Sequence, residues 1–197
     1  MVESGSSREA LQAELLALFD HHIANFDSYT VVINDDKIGH HARYTTEQGV
    51  RLTVAKFRAV GLTMDKVHAY EEHALENATK MNNRTTLTKV GEDGGHPILH
   101  SKIKCPFPLT NRSVITCKYK VEKDGVITVF SSGKGCEAHV TANAKAIGKD
   151  VMANSVIQGV RFTPFEGGIE ITNVICMDIG GSVPDMMKNK MATRNAN

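Results

Sequence analysis

Tryptophan is absent from the 197 residues, and aromatic side chains make up only 6% of them. The core must be built mainly from aliphatic and small residues. No apolar run approaches the roughly 20 residues of a membrane-spanning helix. Neither sign of charge dominates: 23 Lys and Arg stand against 22 Asp and Glu, a net charge of +1, which argues against a dedicated nucleic-acid binder. The four cysteines, Cys105, Cys117, Cys136 and Cys176, show no Cys-x-x-Cys spacing and read as reduced, mostly buried thiols. Residues 1–9 are polar and lack a signal-peptide core, no glycine follows Met1, and no C-terminal cysteine offers a lipid-anchor motif. The expectation is a cytoplasmic, monomeric chain forming one domain over residues 6–197, behind a disordered start over residues 1–5.

The signatures of catalysis are missing as well. Nine histidines invite a metal reading, but none has paired ligand spacing, and there is no His-Glu-x-x-His or zinc-type Cys/His cluster. There is no Gly-x-Ser-x-Gly elbow and no phosphate-cradling loop, and Gly91 to Gly95 and Gly133-Lys134-Gly135 read as turns. Cys117 sits at an apolar position in a strand, a setting for packing rather than nucleophilic attack. The expectation is a protein with no catalytic residues, no metal and no cofactor.

What is present is strong periodicity. Ser6 and Glu9 have capping-box spacing, and Leu11, Leu15, Leu18, Phe19, Ile23 and Phe26 recur on one helical face. Strand-like segments follow over 29–34, 42–47 and 50–57, rich in Val, Ile, Thr and Tyr. Residues 62–81 read as helix, one long or two short, with Thr63 as a cap. Strand patterns return over 85–90, 98–104, 113–121, 126–131, 156–163 and 169–177. Asp124-Gly125 and Glu166-Gly167-Gly168 mark tight hairpins. Residues 136–149 are open between loop and short helix. Ser182, with Pro184 just inside, opens a last helix whose apolar face is Val183, Met186, Met187 and Met191. The order predicts an α+β fold dominated by antiparallel hairpins: a curved antiparallel sheet of about nine strands around a long C-terminal helix, with an N-terminal helix.

The segment Cys105-Pro106-Phe107-Pro108-Leu109-Thr110-Asn111-Arg112-Ser113 must leave the sheet, because proline removes a donor and restricts its predecessor. With the flanking strands, residues 98–119 resemble the START lipid-transfer domains, most of all the phosphatidylcholine transfer protein branch, in which a strand runs into Pro-Phe-Pro and then Asn-Arg-Asp. Asp178-Ile179-Gly180-Gly181-Ser182-Val183-Pro184, followed by Asp185-Met186-Met187-Lys188-Asn189, is similar to the family's approach to its last helix. Ser113 stands where the family has Asp, and no Trp matches the family's Trp-Asp before the fourth strand.

The resemblance implies the helix-grip fold with an internal tunnel that holds one lipid: a phospholipid, a sterol or a fatty acid. It implies a carrier that touches membrane surfaces transiently. Parity and family position together nominate Leu99, Ser101, Ile103, Val114, Thr116, Lys118, Asn173, Val183, Met187 and Met191 as tunnel lining. Phe107, Leu109 and Arg112 are nominated for the gating loop, with Leu109 near its tip and Arg112 fixing it through backbone hydrogen bonds. The scarcity of aromatics weighs against a choline cage. Two readings of Lys118 stand. Alternation makes Ile115, Cys117, Tyr119 and Val121 the buried set and leaves Lys118 and Lys120 in solvent. Family position instead turns Lys118 inward, where an anionic lipid head would supply the missing counter-charge. Two rival functions also stand, a helix-grip enzyme and a ligand-gated interaction module.

Overall fold

The computed structural model describes residues 8–81 and 84–181. Helix α1 (Arg8–Ala24) is followed by a 3-10 turn at Phe26–Ser28. Its buried residues Leu11, Leu15, Phe19 and His22 recur every three or four positions and so form one stripe. Strands β1 (Thr30–Asp35), β2 (His40–Glu47) and β3 (Val50–Val60) come next. The helical insert is two helices, α2 (Met64–Glu72) and α3 (Ala74–Met81). Then come β4 (Thr85–Asp93), β5 (His96–Ile103), β6 (Arg112–Lys123) and β7 (Val126–Ser132). Two short helices, α4 (Glu137–Ala142) and α5 (Ala144–Ile147), lead to β8 (Val151–Met152), β9 (Asn154–Phe165) and β10 (Gly168–Asp178). The open stretch 136–149 is therefore helical. The two-residue strand β8 had no sequence signal, since two residues carry no periodicity. The expected helix from Ser182, with Val183, Met187 and Met191, lies outside the described residues, as does the expected disordered start.

The strands form one open sheet in the order β1-β2-β3-β10-β9-β7-β6-β5-β4, with β8 added alongside β6. Every pairing is antiparallel except β8 with β6. The Asp124-Gly125 hairpin forms as expected, both residues at positive φ (52° and 73°), the geometry of a two-residue turn that matches strand twist.

This order imposes a crossing. β3 lies beside β10, whereas β4 is the far edge, six strand spacings away. At about 4.8 Å per spacing the insert must cover about 29 Å of sheet. Val67 of α2 packs with Ile127, Val129, Phe162 and Ile169, which fixes the face it crosses. α1 covers the other face, where Leu11, Leu15 and Phe19 cluster with Ile115, Cys117, Tyr119 and Phe130. Tyr119 stacks on Phe130 at 5.3 Å, and Phe19 approaches the same ring at 6.3 Å. Arg8 pins the start of α1 by donating from Nε and Nη2 to Asp93 Oδ2 at 2.8 and 2.6 Å. The consequence is a sheet centre covered on both sides: Arg112 to Cys117 are buried without interruption, as are Leu52 to Ala55. Among the described residues no helix is long and apolar enough to cross a membrane.

Phe19 is fully buried at the centre of the α1 contact. Phe19→Ala is expected to cost about 3–5 kcal/mol of stability, through lost burial and the cavity left behind. A urea titration followed by circular dichroism measures it, and a loss under about 1 kcal/mol would mean that α1 is not held as described.

Candidate functional site

Cross-strand register collects the nominated residues. Leu99 pairs with Thr116, Ser101 with Val114, and Ile103 with Arg112. Lys118 pairs with Ser131, Ser131 with Gln158, Gln158 with Ile175, and Ile175 with Thr53. Asn173 pairs with Val160 and Ala55 in the adjoining row. Directly paired residues share a face, so Leu99, Ser101, Ile103, Val114, Thr116, Lys118 and Asn173 all lie on the side crossed by α2. Leu99, Val114 and Thr116 are buried, and Ser101, Ile103 and Asn173 are half-buried. Val183, Met187 and Met191 lie outside the described residues.

This face differs from the α1 face in how its apolar residues are grouped. Its apolar clusters among the described residues sit toward the ends: Val67 with Ile127, Val129, Phe162 and Ile169 under α2, and Ala42 with Ala55 near the β1 edge. Between them stand polar side chains, with Thr53, Thr116 and Ser131 buried. Gln158 Nε2 donates to Ser131 Oγ at 3.2 Å. Thr53, Ser131 and Gln158 went unnamed in the sequence reading because parity within one strand says nothing about which face of the next strand it joins.

Lys118 settles between its two readings in an unexpected way. Ile115, Cys117 and Tyr119 are the buried set under α1, as alternation requires. Lys118 is nevertheless not released to solvent, because its own face is covered too: the side chain is 23% exposed, and Nζ donates to Glu71 Oε2 at 2.8 Å. Glu71, 8% exposed, comes from the last turn of α2. The counter-charge is thus supplied by the protein, and the motive for an anionic lipid head at Lys118 is removed. Lys120, further out, is 43% exposed.

The proline-rich segment leaves the sheet as expected, between β5 and β6. Leu109 N–H donates to the Pro106 carbonyl at 2.9 Å, and Asn111 Oδ1 accepts from the Cys105 N–H at 3.2 Å, closing the loop on itself. Phe107 is 96% exposed, whereas Leu109 is half-buried, so the residue presented at the loop surface is the phenylalanine rather than the leucine. Arg112 is buried and donates to three carbonyls: Thr110 in the loop, Ile179 from Nε at 3.0 Å and Gly180 from Nη2 at 3.4 Å. One guanidinium therefore ties the loop to the chain leaving β10. Gly180 has φ +62°, and a Cβ there would come 2.4 Å from the Met152 carbonyl oxygen, so only glycine fits.

One cluster has the composition of an acid–base site. His100 Nε2 lies 2.9 Å from Ser113 Oγ, which lies 2.9 Å from Asp150 Oδ2, itself 3.2 Å from Lys102 Nζ. The order is wrong for a nucleophile. A carboxylate only accepts, so the single hydroxyl proton goes to Asp150 and Ser113 accepts from His100. Ser113 is also fully buried, on the α1 side. Burial pushes the Cys117 thiol up, Cys136 to about 11 and Cys176 to about 12, away from thiolate chemistry. Among the described residues no three His, Cys, Asp or Glu are placed to hold a metal. A hollow of about 240 Å³ lined by Ile115, Val140, Met152, Glu137 and Asn154 lies on the α1 side, apart from the nominated residues.

Comparison of the sequence with protein-family models finds no match, and comparison with curated proteins finds none either. The fold is more telling. Human StAR-related lipid transfer protein 5 superposes with a TM-score of 0.75 at 10% identity, over 94% of this chain and 89% of its own. Human STARD10 gives 0.70 at 16% identity, over 85% of this chain and 68% of its own. The STAR-related lipid transfer protein of Xanthomonas axonopodis gives 0.62 at 16% identity, over 85% and 92%. The chain has the helix-grip fold of the START domains, as the two motifs implied.

Two predictions follow from these contacts. Burial holds His22 and His100 below the usual imidazole value of 6.5; Glu47 opposes the shift at His22, and Asp150 opposes it at His100. As pH falls through about 6.5 the unfolded chain takes up protons that the folded chain refuses. Stability is expected to drop across that window and level off below the folded values. Melting temperatures between pH 8 and pH 5 check this, and a flat profile would contradict it. Arg112→Lys cannot reach three carbonyls with one ammonium and is expected to cost about 2–3 kcal/mol, with faster proteolytic cutting in the loop near Phe107. Limited proteolysis with mass mapping reads the loop effect.

Proposed function

We propose that this chain binds one hydrophobic lipid molecule against the sheet face crossed by α2 and carries it between membranes in the cytoplasm, acting as a monomer and not as an enzyme. The observation that carries the reading is the middle of that face. The α1 side is filled by one continuous apolar cluster, with Ser113, Thr128, Ser132 and Thr172 buried within it, whereas no apolar cluster of the described residues fills the middle of the α2 face. Here buried Leu99 and Val114 stand beside buried Thr116, Thr53 and Ser131. Such a lining gives apolar surface for chains and a few hydrogen-bonding groups for a head. Burying lipid surface would supply about 25 cal/mol per Å². The START-like fold over most of the chain supports the same reading, since two of the neighbours named above are described as lipid transfer proteins.

Val183, Met187 and Met191 are proposed to close the ligand space from the segment after Gly181. Phe107, Leu109 and Arg112 are proposed to govern access, with exposed Phe107 making the transient membrane contact. The phospholipid, sterol and fatty-acid classes all satisfy the apolar requirement. Against the enzyme reading stands the His100–Ser113–Asp150 order, buried on the opposite face.

Native mass spectrometry of the purified protein, combined with solvent extraction, tests the reading. One hydrophobic ligand per chain is expected, along with exchange of labelled lipid between vesicles. A ligand-free protein that takes up no lipid would defeat it. Stable retention without exchange would favour a ligand-gated interaction module, and chemical turnover of the bound molecule would favour an enzyme.

A further inference from the structure

We propose that the hollow between α4 and β6 is a second binding site, separate from the α2 face, and that it takes a small molecule made of a compact apolar group and a protonated amine. The hollow has its cause in the strand order. β8 and β9, separated only by Ala153, run first beside Arg112 and Ser113 of β6 and then, from Gln158 on, beside β7. β7 pairs with β6 only from Cys117 outward and ends at Ser132. Val114, Ile115 and Thr116 are left without a paired strand on that side, so the sheet forks there. Gly133 turns the chain out of the fork, its N–H donating to the Ser155 carbonyl at 2.8 Å. Its bare backbone forms one wall, since a Cβ there would lie 2.9 Å from Asn154 Oδ1 and 3.4 Å from the Ile115 carbonyl oxygen. The space between this fork and α4 is about 240 Å³.

The lining has two chemistries. Ile115 and Ala153 are buried and Val140 and Met152 are half-buried, which makes an apolar floor. Glu137 of α4 and Asn154 of β9 stand exposed at the edge. Among the described residues neither side chain has an ion-pair or hydrogen-bond partner. Lys134 and His139, the basic residues closest to Glu137 in sequence, face Glu14 and Asp93 instead. An ammonium supplies what both groups lack: it carries three N–H donors, and a carboxylate and an amide oxygen both accept. The apolar group of the ligand covers the floor and removes it from water. Glu137 repels an anion at the same edge. Drug-sized ligands occupy about 300–1,000 Å³, so this hollow suits one ring with a short arm. It lies on the α1 side of the sheet, so it stands or falls apart from the lipid-binding function.

The test uses the full chain with isotope-labelled isoleucine and methionine methyl groups, followed by nuclear magnetic resonance. It is titrated with phenethylamine, with phenethyl alcohol as the uncharged counterpart and with phenylacetate as the anion. The amine is expected to move the Ile115 and Met152 signals and to saturate with a Kd below about 1 mM. The alcohol is expected to bind the same place at least about fivefold more weakly, and phenylacetate more weakly still. E137Q is expected to lower amine affinity about fivefold and to leave the alcohol unchanged. The alcohol comparison is made on wild type and decides the point whether or not E137Q folds. Equal binding of amine and alcohol overturns the proposal, as does a folded E137Q with unchanged amine affinity. An amine that leaves Ile115 and Met152 unmoved up to about 10 mM overturns it as well, and so does one that moves Ile103 on the α2 face instead.

Discussion

The chain between β3 and β4 has to cross the sheet, and much else depends on that constraint. β3 is locked beside β10 by nine paired residues, from Gly168 with Val60 to Cys176 with Leu52. β4 is held at the opposite edge by β5. α2 therefore lies across the face opposite α1, held by Val67 in an apolar cluster and by Glu71 on Lys118. The crossing turns an open sheet with one natural core into a sheet with two covered faces. One is a large apolar cluster under α1 with a few buried polar residues, among them His100, Ser113 and Thr128. The other has apolar clusters toward its ends and, between them, buried Leu99 and Val114 beside buried Thr53, Thr116 and Ser131.

Two charged side chains do different work in this arrangement. Arg112 makes only carbonyl contacts among the described residues, binding Thr110, Ile179 and Gly180, so it acts as a backbone clamp between the proline-rich loop and the exit from β10. Lys118 lies on the same strand and the same face, six residues on, but faces a carboxylate. The first fixes geometry where chain segments converge. The second ties α2 to β6 through an ion pair. The Ser113–Asp150 contact adds a tie on the other side, joining β6 to the turn that leads into β8, and β8 in turn packs against Gly180. The loop, β8 and the end of β10 are thereby held as one unit.

Most elements could be read from the chain before folding. The α1 stripe of Leu11, Leu15 and Phe19 follows from helical spacing, and the Asp124-Gly125 hairpin follows from residues that tolerate positive φ. The Pro106-Phe107-Pro108 break and the Arg112 clamp were legible through local chemistry and a motif. Alternation in β6 identified Ile115, Cys117 and Tyr119 as the α1 core, but it misjudged Lys118. Alternation assumes that the opposite face is open to solvent, and α2 partly covers it. Leu109 was likewise placed at the loop tip by its position in a motif, whereas the turn closed by its own N–H on Pro106 leaves Phe107 outward.

Sequence alone determined the α+β class, the number and order of nearly all the strands, and the two motifs that share the START-like pattern, because each of these is written in spacing, turn chemistry or proline placement within a few residues. Tertiary structure alone decided that Glu71 neutralises Lys118, that Thr53, Ser131 and Gln158 join Thr116 on one face, and that His100, Ser113 and Asp150 meet in an order unfit for catalysis. Those facts depend on strand register and on the path of α2 across the sheet. Both are set by pairing between segments far apart in the chain, which no local pattern records.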